Sequence, residues 1–153
     1  MNVSFRAATR DDVPAVLALL RDDDHGVRRE TGDLATYLDA FDTMQAEGTN
    51  TLMIGETADG RIVATYQLTF ITGLSHRATR RAQIESVRVA SDLRGQGIGR
   101  QMMADAETRA RAAGCRLLQL TTQSVRNRAR DFYDSLGYTP SHIGFKKPLD
   151  DTP

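Results

Sequence analysis

The chain has 153 residues, of which 40% are hydrophobic and 26% charged, as in an ordinary globular domain. Its 20 lysines and arginines balance 20 acids, which argues against a general nucleic-acid binder, and no apolar run is long enough to predict a membrane helix. A single cysteine, Cys115, excludes an internal disulfide and a cysteine-based zinc site. We expect one cytoplasmic domain over residues 1–149 and a frayed tail over 150–153.

The first third of the sequence predicts a strand followed by two helices. Alternating apolar residues favour a strand over 2–8, and the helical spacing of apolar side chains over 13–20 predicts a helix that begins near Asp11 and Asp12. Residues 22–32 are mixed in charge and are interpreted as a loop. A second amphipathic helix is expected over 33–47, ended by Gly48 and with these side chains inward: Leu34, Leu38, Phe41 and Met44.

The middle of the chain predicts antiparallel strands. Residues 51–57 and 62–72 are rich in branched and aromatic side chains and flank the turn 58–60, a strong hairpin pattern. A turn or loop over 73–79 leads to a strand over 80–90. Simple alternation along that strand places Ala82, Ile84, Ser86 and Arg88 on one face and Gln83, Glu85, Val87 and Val89 on the other.

The last third alternates helices and strands. We expect a loop over 91–96, a helix over 97–113 closed by Gly114, a strand over 115–122, a helix over 125–136 and one or two strands over 138–148. Ser124 is the expected cap of the later helix, and Gly137 its end. The order β-α-α-β-β-β-α-β-α-β predicts an α+β (α/β) fold: one mixed sheet with helices on both faces.

Charge is unevenly distributed despite the neutral total. Residues 21–59 contain ten acids and three bases, whereas residues 77–116 contain nine arginines and four acids. The acidic segment is expected to attract a cationic ligand and the basic one an anion, unless both are simply solvated surface.

The segment Arg94-Gly95-Gln96-Gly97-Ile98-Gly99-Arg100 lies between a predicted strand and a predicted helix. Glycines let the backbone approach a ligand, and the unpaired N–H groups of a helix start attract anions. The segment lacks the third glycine of the dinucleotide fingerprint and the Gly-Lys-Ser/Thr of a P-loop. It therefore predicts a phosphate or pyrophosphate site of another kind.

The motif Arg94-x-x-Gly97-x-Gly99 resembles the acetyl-CoA signature of the GNAT-type N-acetyltransferase superfamily. Residues 85–89 are similar to that family's central strand, and Asn127 with the residues around Tyr133 to its last helix. The resemblance implies a GNAT-like acyl-CoA N-acyltransferase fold. It also implies an enzyme that moves an acetyl group from acetyl-CoA to a primary amine on a small molecule or a peptide, without a metal.

The resemblance also implies roles for individual residues. Glu85 is the expected general base and Tyr133 the acid that protonates the departing thiolate. The expected acetyl-CoA contacts are Val87, Arg88, Val89, Arg94, Gly95, Gln96, Gly97, Ile98, Gly99, Arg100 and Asn127. The backbone N–H of Val87 would polarise the thioester carbonyl.

Other candidates are weaker. His25, His76 and His142 have no metal-ligand spacing, although the first two are candidates for lining an acceptor site; Cys115 is interpreted as a small hydrophobe. The alternative function is a non-catalytic acyl-CoA-binding sensor or assembly module, and an acyl donor other than acetyl is a variant of the enzyme hypothesis. No nucleic-acid or membrane partner is expected, and a homodimer is a possibility that the family suggests.

Overall fold

The computed structural model describes residues 1–150, so the expected tail lies outside the described residues apart from Asp150. The chain divides into two compact units, Met1–Leu120 and one that begins at Thr121, and each is described by itself. The single domain expected over residues 1–149 stays a prediction.

The first unit contains five strands and most of the helices. Its elements are β1 (Ser4–Ala7), a 3-10 turn (Arg10–Asp12), α1 (Val13–Leu20), α2 (Asp24–Arg29), α3 (Leu34–Glu47), β2 (Asn50–Glu56), β3 (Ile62–Ile71), a single turn α4 (Ser75–Ala78), β4 (Arg81–Val89), a 3-10 turn (Ser91–Leu93), α5 (Ile98–Ala112) and β5 (Leu117–Leu120). The second unit contains α6 (Asn127–Ser135).

The strands form one mixed sheet in the order β1-β2-β3-β4-β5. The pairs β1–β2, β2–β3 and β3–β4 are antiparallel, whereas β4 and β5 run parallel, with Arg81 opposite Leu117 and Ile84 opposite Leu120. A parallel pair needs a crossover, and α5 is that crossover. The mixed sheet confirms the sequence prediction.

Helices cover both faces of the sheet. On one face, Val16 of α1 and Phe41 of α3 are buried against Ile54 of β2. On the other face, the fully buried Tyr66 of β3 donates its hydroxyl hydrogen to Asp105 Oδ2 of α5 at 2.6 Å. Burial and the neighbouring Asp105 carboxylate both raise the pKa of this phenol, because each disfavours the phenolate.

Helix ends follow the local chemistry that the sequence indicated. Asp33 caps α3 by accepting a hydrogen bond from the Thr36 N–H at 3.0 Å, and Gly48 ends it with φ 68°. Gly137, with φ 88°, follows α6 as predicted. Leu34 was wrongly expected to be buried: it lies in the first turn of α3 and is 42% exposed.

Two local predictions were wrong. The expected loop over 22–32 contains the short helix α2, because the Asp23 carboxylate accepts a hydrogen bond from the Gly26 N–H and caps a turn. Ser124 does not cap α6, whose N-cap residue is Arg126. The Arg126 N–H instead bonds to the Gln123 carbonyl, which makes a turn just before the helix.

The strands expected over 138–148 do not occur in the described residues, which end at 150. The segment's apolar side chains are exposed, Ile143 to 84% and Phe145 to 94%. Pro140 and Pro148 cannot donate backbone hydrogen bonds, so both ends of the expected strands are interrupted. A strand pattern becomes a strand only where another strand pairs with it.

Candidate active site

A β-bulge shapes the centre of β4. Ser86 has φ 55°, and the register against β3 shifts by one residue between the Thr65–Arg88 and Gln67–Glu85 pairs. Directly paired residues share a face, so Glu85 and Arg88 lie on the same face as Gln67 and Thr65. The simple alternation expected along β4 is therefore wrong from Ser86 onwards.

The bulge places the side chains of Val87 and Val89 on the opposite face of the sheet from the side chain of Glu85. Val89 pairs with Ala64, and Val87 lies two residues before it, so both belong to the face covered by α5. Glu85 stays on the opposite face, towards α1 and α3. The sequence pattern could not show this, because a bulge adds one residue without changing composition.

The edge of β4 beyond Ile84 is not paired with β5. The parallel ladder ends at Ile84 and Leu120, whereas β4 continues to Val89. The Ala90 N–H bonds to the Val63 carbonyl of β3 at 2.8 Å, and N–H directions alternate along a strand. The N–H groups of Val89 and Val87 therefore point towards the edge on which the β5 ladder has ended, where an extended ligand can pair with them.

The glycine segment has the local geometry of an anion site. Gly95 and Gly97 have φ values of 79° and 82°, which disfavour residues with a Cβ, and no atom lies within 4 Å of the point that a Cβ would occupy on either residue. Gly97 is the N-cap of α5 and makes no side-chain cap. The first N–H groups of α5 have no intrahelical acceptor, as at any helix start, and such groups attract anions.

The loop after α1 is hydrogen-bonded to the loop before α5. The Asp22 carboxylate accepts from the Ser91 N–H at 2.7 Å and from its hydroxyl at 2.9 Å. The Arg94 guanidinium donates to the Asp22 carbonyl at 3.2 Å. These bonds hold the start of the glycine segment against the end of α1.

Arg88 is directed to the acidic loop rather than to Glu85. Its side chain is only 13% exposed, and its Nε lies 3.7 Å from Asp23 Oδ2. Its Nη1 also donates to the Val87 carbonyl at 2.8 Å. Glu85 is exposed on the strand, so its carboxylate is accessible to a ligand on the α1/α3 face.

A cavity of about 130 Å³ lies on that same face, between α1, α3 and the sheet. Leu17, Tyr37 and Phe41 are among its apolar walls. Its polar lining residues all come from the sheet: Thr65, Gln67 and Ser86. We call this space the α1/α3 cavity.

Most acids of the acidic segment already have partners. Asp22, Asp23 and Asp33 accept backbone hydrogen bonds. Ion pairs join Asp42 to Arg10, Glu30 to Arg29 and Glu56 to Arg6. Ion pairs with arginine thus compensate part of the negative charge of this segment, and its expected attraction for a cationic ligand stays a prediction.

Asn127 and Tyr133 belong to the second unit. Asn127 is the exposed first residue of α6. The half-buried Tyr133 ring makes edge contacts with Phe132 and Tyr138, at centroid distances of 5.2 and 5.8 Å. These contacts fix the orientation of the ring within this unit.

The histidines and the cysteine are the remaining candidates from the sequence. His25, His76 and His142 are exposed, and no group of metal-ligating side chains occurs among residues 1–150. Cys115 is half-buried, and its N–H bonds to the Ala110 carbonyl just after α5. In the described part of the chain, no helix is both long and apolar enough to cross a membrane.

Comparisons with known proteins give a consistent result. Residues 14–138 match the model of the acetyltransferase (GNAT) family. A curated relative, aminoalkylphosphonate N-acetyltransferase from Salmonella typhimurium, is 42% identical over 74 residues. That match covers 48% of this chain and 48% of the relative, so the chain spans about half the length of the curated relative that it matches.

Solved structures share the fold over nearly the whole chain. A transcriptional regulator from Bacillus halodurans C-125 is 37% identical with a TM-score of 0.90, covering 97% of this chain and 100% of that one. A predicted acetyltransferase from Clostridium acetobutylicum, solved with acetyl-CoA, is 16% identical with a TM-score of 0.72 and 97% coverage of both chains. At that identity the second likeness shows the fold alone.

Proposed function

This chain belongs to the acetyltransferase (GNAT) family, and from that membership we propose that it transfers an acetyl group from acetyl-CoA to a primary amine. The proposal rests on the presence of two features together. The helix α5 begins at a glycine turn without a side-chain cap, and the edge of β4 beyond Ile84 has no pairing to β5. Both features lie in the first unit, and both fit a CoA thioester. The non-catalytic alternative is not favoured.

The donor site would have two parts. N–H groups between Gly95 and Arg100 would hold the pyrophosphate, because a helix start favours negative charge. The edge of β4 at Val87 and Val89 would pair with the pantetheine arm as an added strand does. Arg88, Arg94 and Asn127 remain proposed contacts. Acetyl-CoA, when bound there, supplies the acetyl group as a reactive thioester.

We propose two proton transfers, one through Glu85 and one through Tyr133. An alkyl ammonium has a pKa of about 10.4, so Glu85 would take the proton that the acceptor must lose before it attacks. The Val87 N–H would stabilise negative charge on the carbonyl oxygen as the C–N bond forms. Tyr133 would give its phenolic proton to the sulfur as the C–S bond breaks.

Two conservative variants test these roles. Tyr133→Phe keeps the ring and its contacts, so CoA should still bind while kcat falls by about 10²-fold. Glu85→Gln should slow acetylation most at low pH, and the deficit should shrink towards pH 10 as solvent deprotonates the amine. CoA affinity is measured by calorimetry and turnover by thiol release.

A control variant distinguishes loss of a proton-transfer group from a disturbance of the protein's structure. Tyr138→Phe removes the other phenol in contact with Tyr133 and should leave turnover close to the wild-type value. Wild-type rates for both Tyr133→Phe and Glu85→Gln across the pH range would reject the two residues as proton-transfer groups. Failure of the wild-type protein to bind CoA would reject the proposed function.

The assembly is proposed to be a homodimer in the cytoplasm. The support is the exposed apolar series of the C-terminal segment, in which Ile143, Phe145 and Leu149 are 84%, 94% and 95% exposed. Apolar side chains grouped in this way commonly mark an interface. A second copy of this chain is the proposed cover, and no nucleic acid or membrane is part of the proposal.

A further inference from the structure

The α1/α3 cavity is apolar and uncharged. None of the described residues that line it carries a charge, and its walls include Leu17, Phe41 and Leu52. The Tyr37 ring forms part of the wall while its hydroxyl donates to Glu30 Oε2 at 3.1 Å. A cationic or anionic group placed among these walls would lose water without gaining a partner.

The cavity opens to solvent and is therefore more than a packing defect within the core. Ala40 of α3 and Ser86 of β4 are both lining residues, and both are exposed. Leu17 and Phe41, by contrast, are buried. A ligand can therefore enter beside Ala40 and reach buried apolar walls.

The polar side of the cavity adjoins the expected reaction centre. Ser86 lines the cavity and immediately follows Glu85 in the chain. Gln67 lines the cavity and pairs with Glu85 in the sheet register, so the two side chains share a face. The Thr65 hydroxyl donates to the Met53 carbonyl at 2.8 Å, which uses its hydrogen within the sheet.

We propose that the α1/α3 cavity binds a compact apolar group of the acceptor, and that the acceptor is therefore a primary amine with a branched alkyl or aryl substituent. This inference rests on the proposed function. A dry apolar cavity of about 150 Å³ accommodates benzene, so a space of about 130 Å³ fits one aromatic ring or a branched chain of about five carbons. The amine would lie at the polar side, beside Glu85.

Paired acceptors and paired variants test the proposal. The acceptors are 3-methylbutylamine and ethylamine, which have nearly equal basicity and differ in their apolar part, with 2-aminoethylphosphonate as the anionic alternative. Ala40→Leu fills the open side of the cavity. Ala46→Leu is the control, since Ala46 is also exposed on α3 but is absent from the lining.

The expected result is a preference for the branched amine. Wild-type kcat/KM should be on the order of 10²-fold higher for 3-methylbutylamine than for ethylamine. Ala40→Leu should lower the value for 3-methylbutylamine by about 10-fold or more and barely change that for ethylamine. Ala46→Leu should match the wild type with both amines.

A binding measurement complements turnover. The alcohol 3-methylbutan-1-ol carries the same apolar group without an amine, so it should bind wild-type protein and Ala46→Leu in calorimetry, and bind Ala40→Leu much more weakly. Equal binding to all three proteins, equal rates with both alkylamines, or a preference for 2-aminoethylphosphonate would overturn the inference and leave acetyl transfer intact. Absence of both CoA binding and acetylation of any amine would instead overturn the proposed function.

Discussion

Gly97 shows how one residue type can serve both backbone geometry and ligand binding. Its φ of 82° lies in the left-handed region, and the space where a side chain would stand is open. Glycine is required there by conformation rather than by crowding. A residue that tolerates this conformation can therefore be introduced, and its charge then becomes the variable.

We expect Gly97→Asp to bind CoA at least tenfold more weakly than Gly97→Asn. Asn and Asp tolerate positive φ to a similar degree, so their backbone costs are comparable. The carboxylate adds a negative charge near the proposed pyrophosphate site, where a repulsion of about 1.4 kcal/mol suffices for a tenfold loss. Calorimetry with CoA measures the difference.

Equal CoA affinities of the two variants would contradict an anion site at the start of α5. The thermal stabilities of the two proteins serve as the control, because a misfolded variant would also lose affinity. The sequence alone indicated this site, since three glycines flanked by arginines stand between a predicted strand and a predicted helix. The bulge at Ser86 gave no comparable pattern.

Among the elements, α1 is joined to the sheet by a charged cluster at its N-terminus. Asp12 accepts hydrogen bonds from Arg6 Nη1 of β1 at 2.7 Å and from the Thr9 N–H at 2.7 Å. Arg6 also bonds to Glu56 of β2. Hydrogen bonds from Arg6, followed by those from Thr9, hold the pKa of Asp12 below its usual value, against the opposing effect of burial.

Asp12→Asn should lower the free energy of unfolding by about 1 kcal/mol at pH 7, because it removes a charged acceptor. The sign of the pH dependence follows from the lowered pKa of folded Asp12. Its stabilisation is complete above the unfolded pKa of about 3.8 and is lost as pH falls through the folded pKa. The wild type and the variant should therefore converge in strongly acidic solution.

Urea denaturation at several pH values measures this convergence. Asp42→Asn is the matched control, because its pair with Arg10 is more than half exposed on both sides and exposed pairs contribute little. A constant difference between wild type and Asp12→Asn down to pH 2 would contradict the argument. So would a larger effect from Asp42→Asn.

Elements with a complete local pattern could be predicted from the sequence, and those that depend on distant partners could not. Asp33 and Gly48 define α3 through their own bonding and conformation, and the β2–β3 hairpin is encoded by alternation about a short turn. The strands expected over 138–148 do not occur in the described residues, because a strand needs a partner and the local sequence does not specify one. The α1/α3 cavity was missed because it arises between elements far apart in the chain.

For the molecule as a whole, the main question is how the exposed apolar side chains of the C-terminal segment are covered. We expect the wild-type protein to sediment with twice the mass of one chain. Phe145→Asp should shift it to a single chain, since a charge cannot be buried there without a partner. Analytical ultracentrifugation over a range of concentrations measures the shift.

Ser141→Asp provides the matched control, because it adds the same charge to the same exposed segment without removing an apolar side chain. A dimer in both variants would show that the dimer interface does not depend on Phe145. A monomeric wild-type protein at every concentration would contradict the proposed dimer. Either result leaves the fold and the donor site unaffected.

The unpaired stretch of β4 also bears on the behaviour of the protein without ligand. Free strand edges invite edge-to-edge aggregation, which proteins resist with bulges and charged side chains. This stretch contains the bulge at Ser86, and the charged residues Glu85 and Arg88 flank it. The bulge lies in the same stretch of β4 that is available to an extended ligand, and it also makes this edge a poor template for amyloid-like stacking.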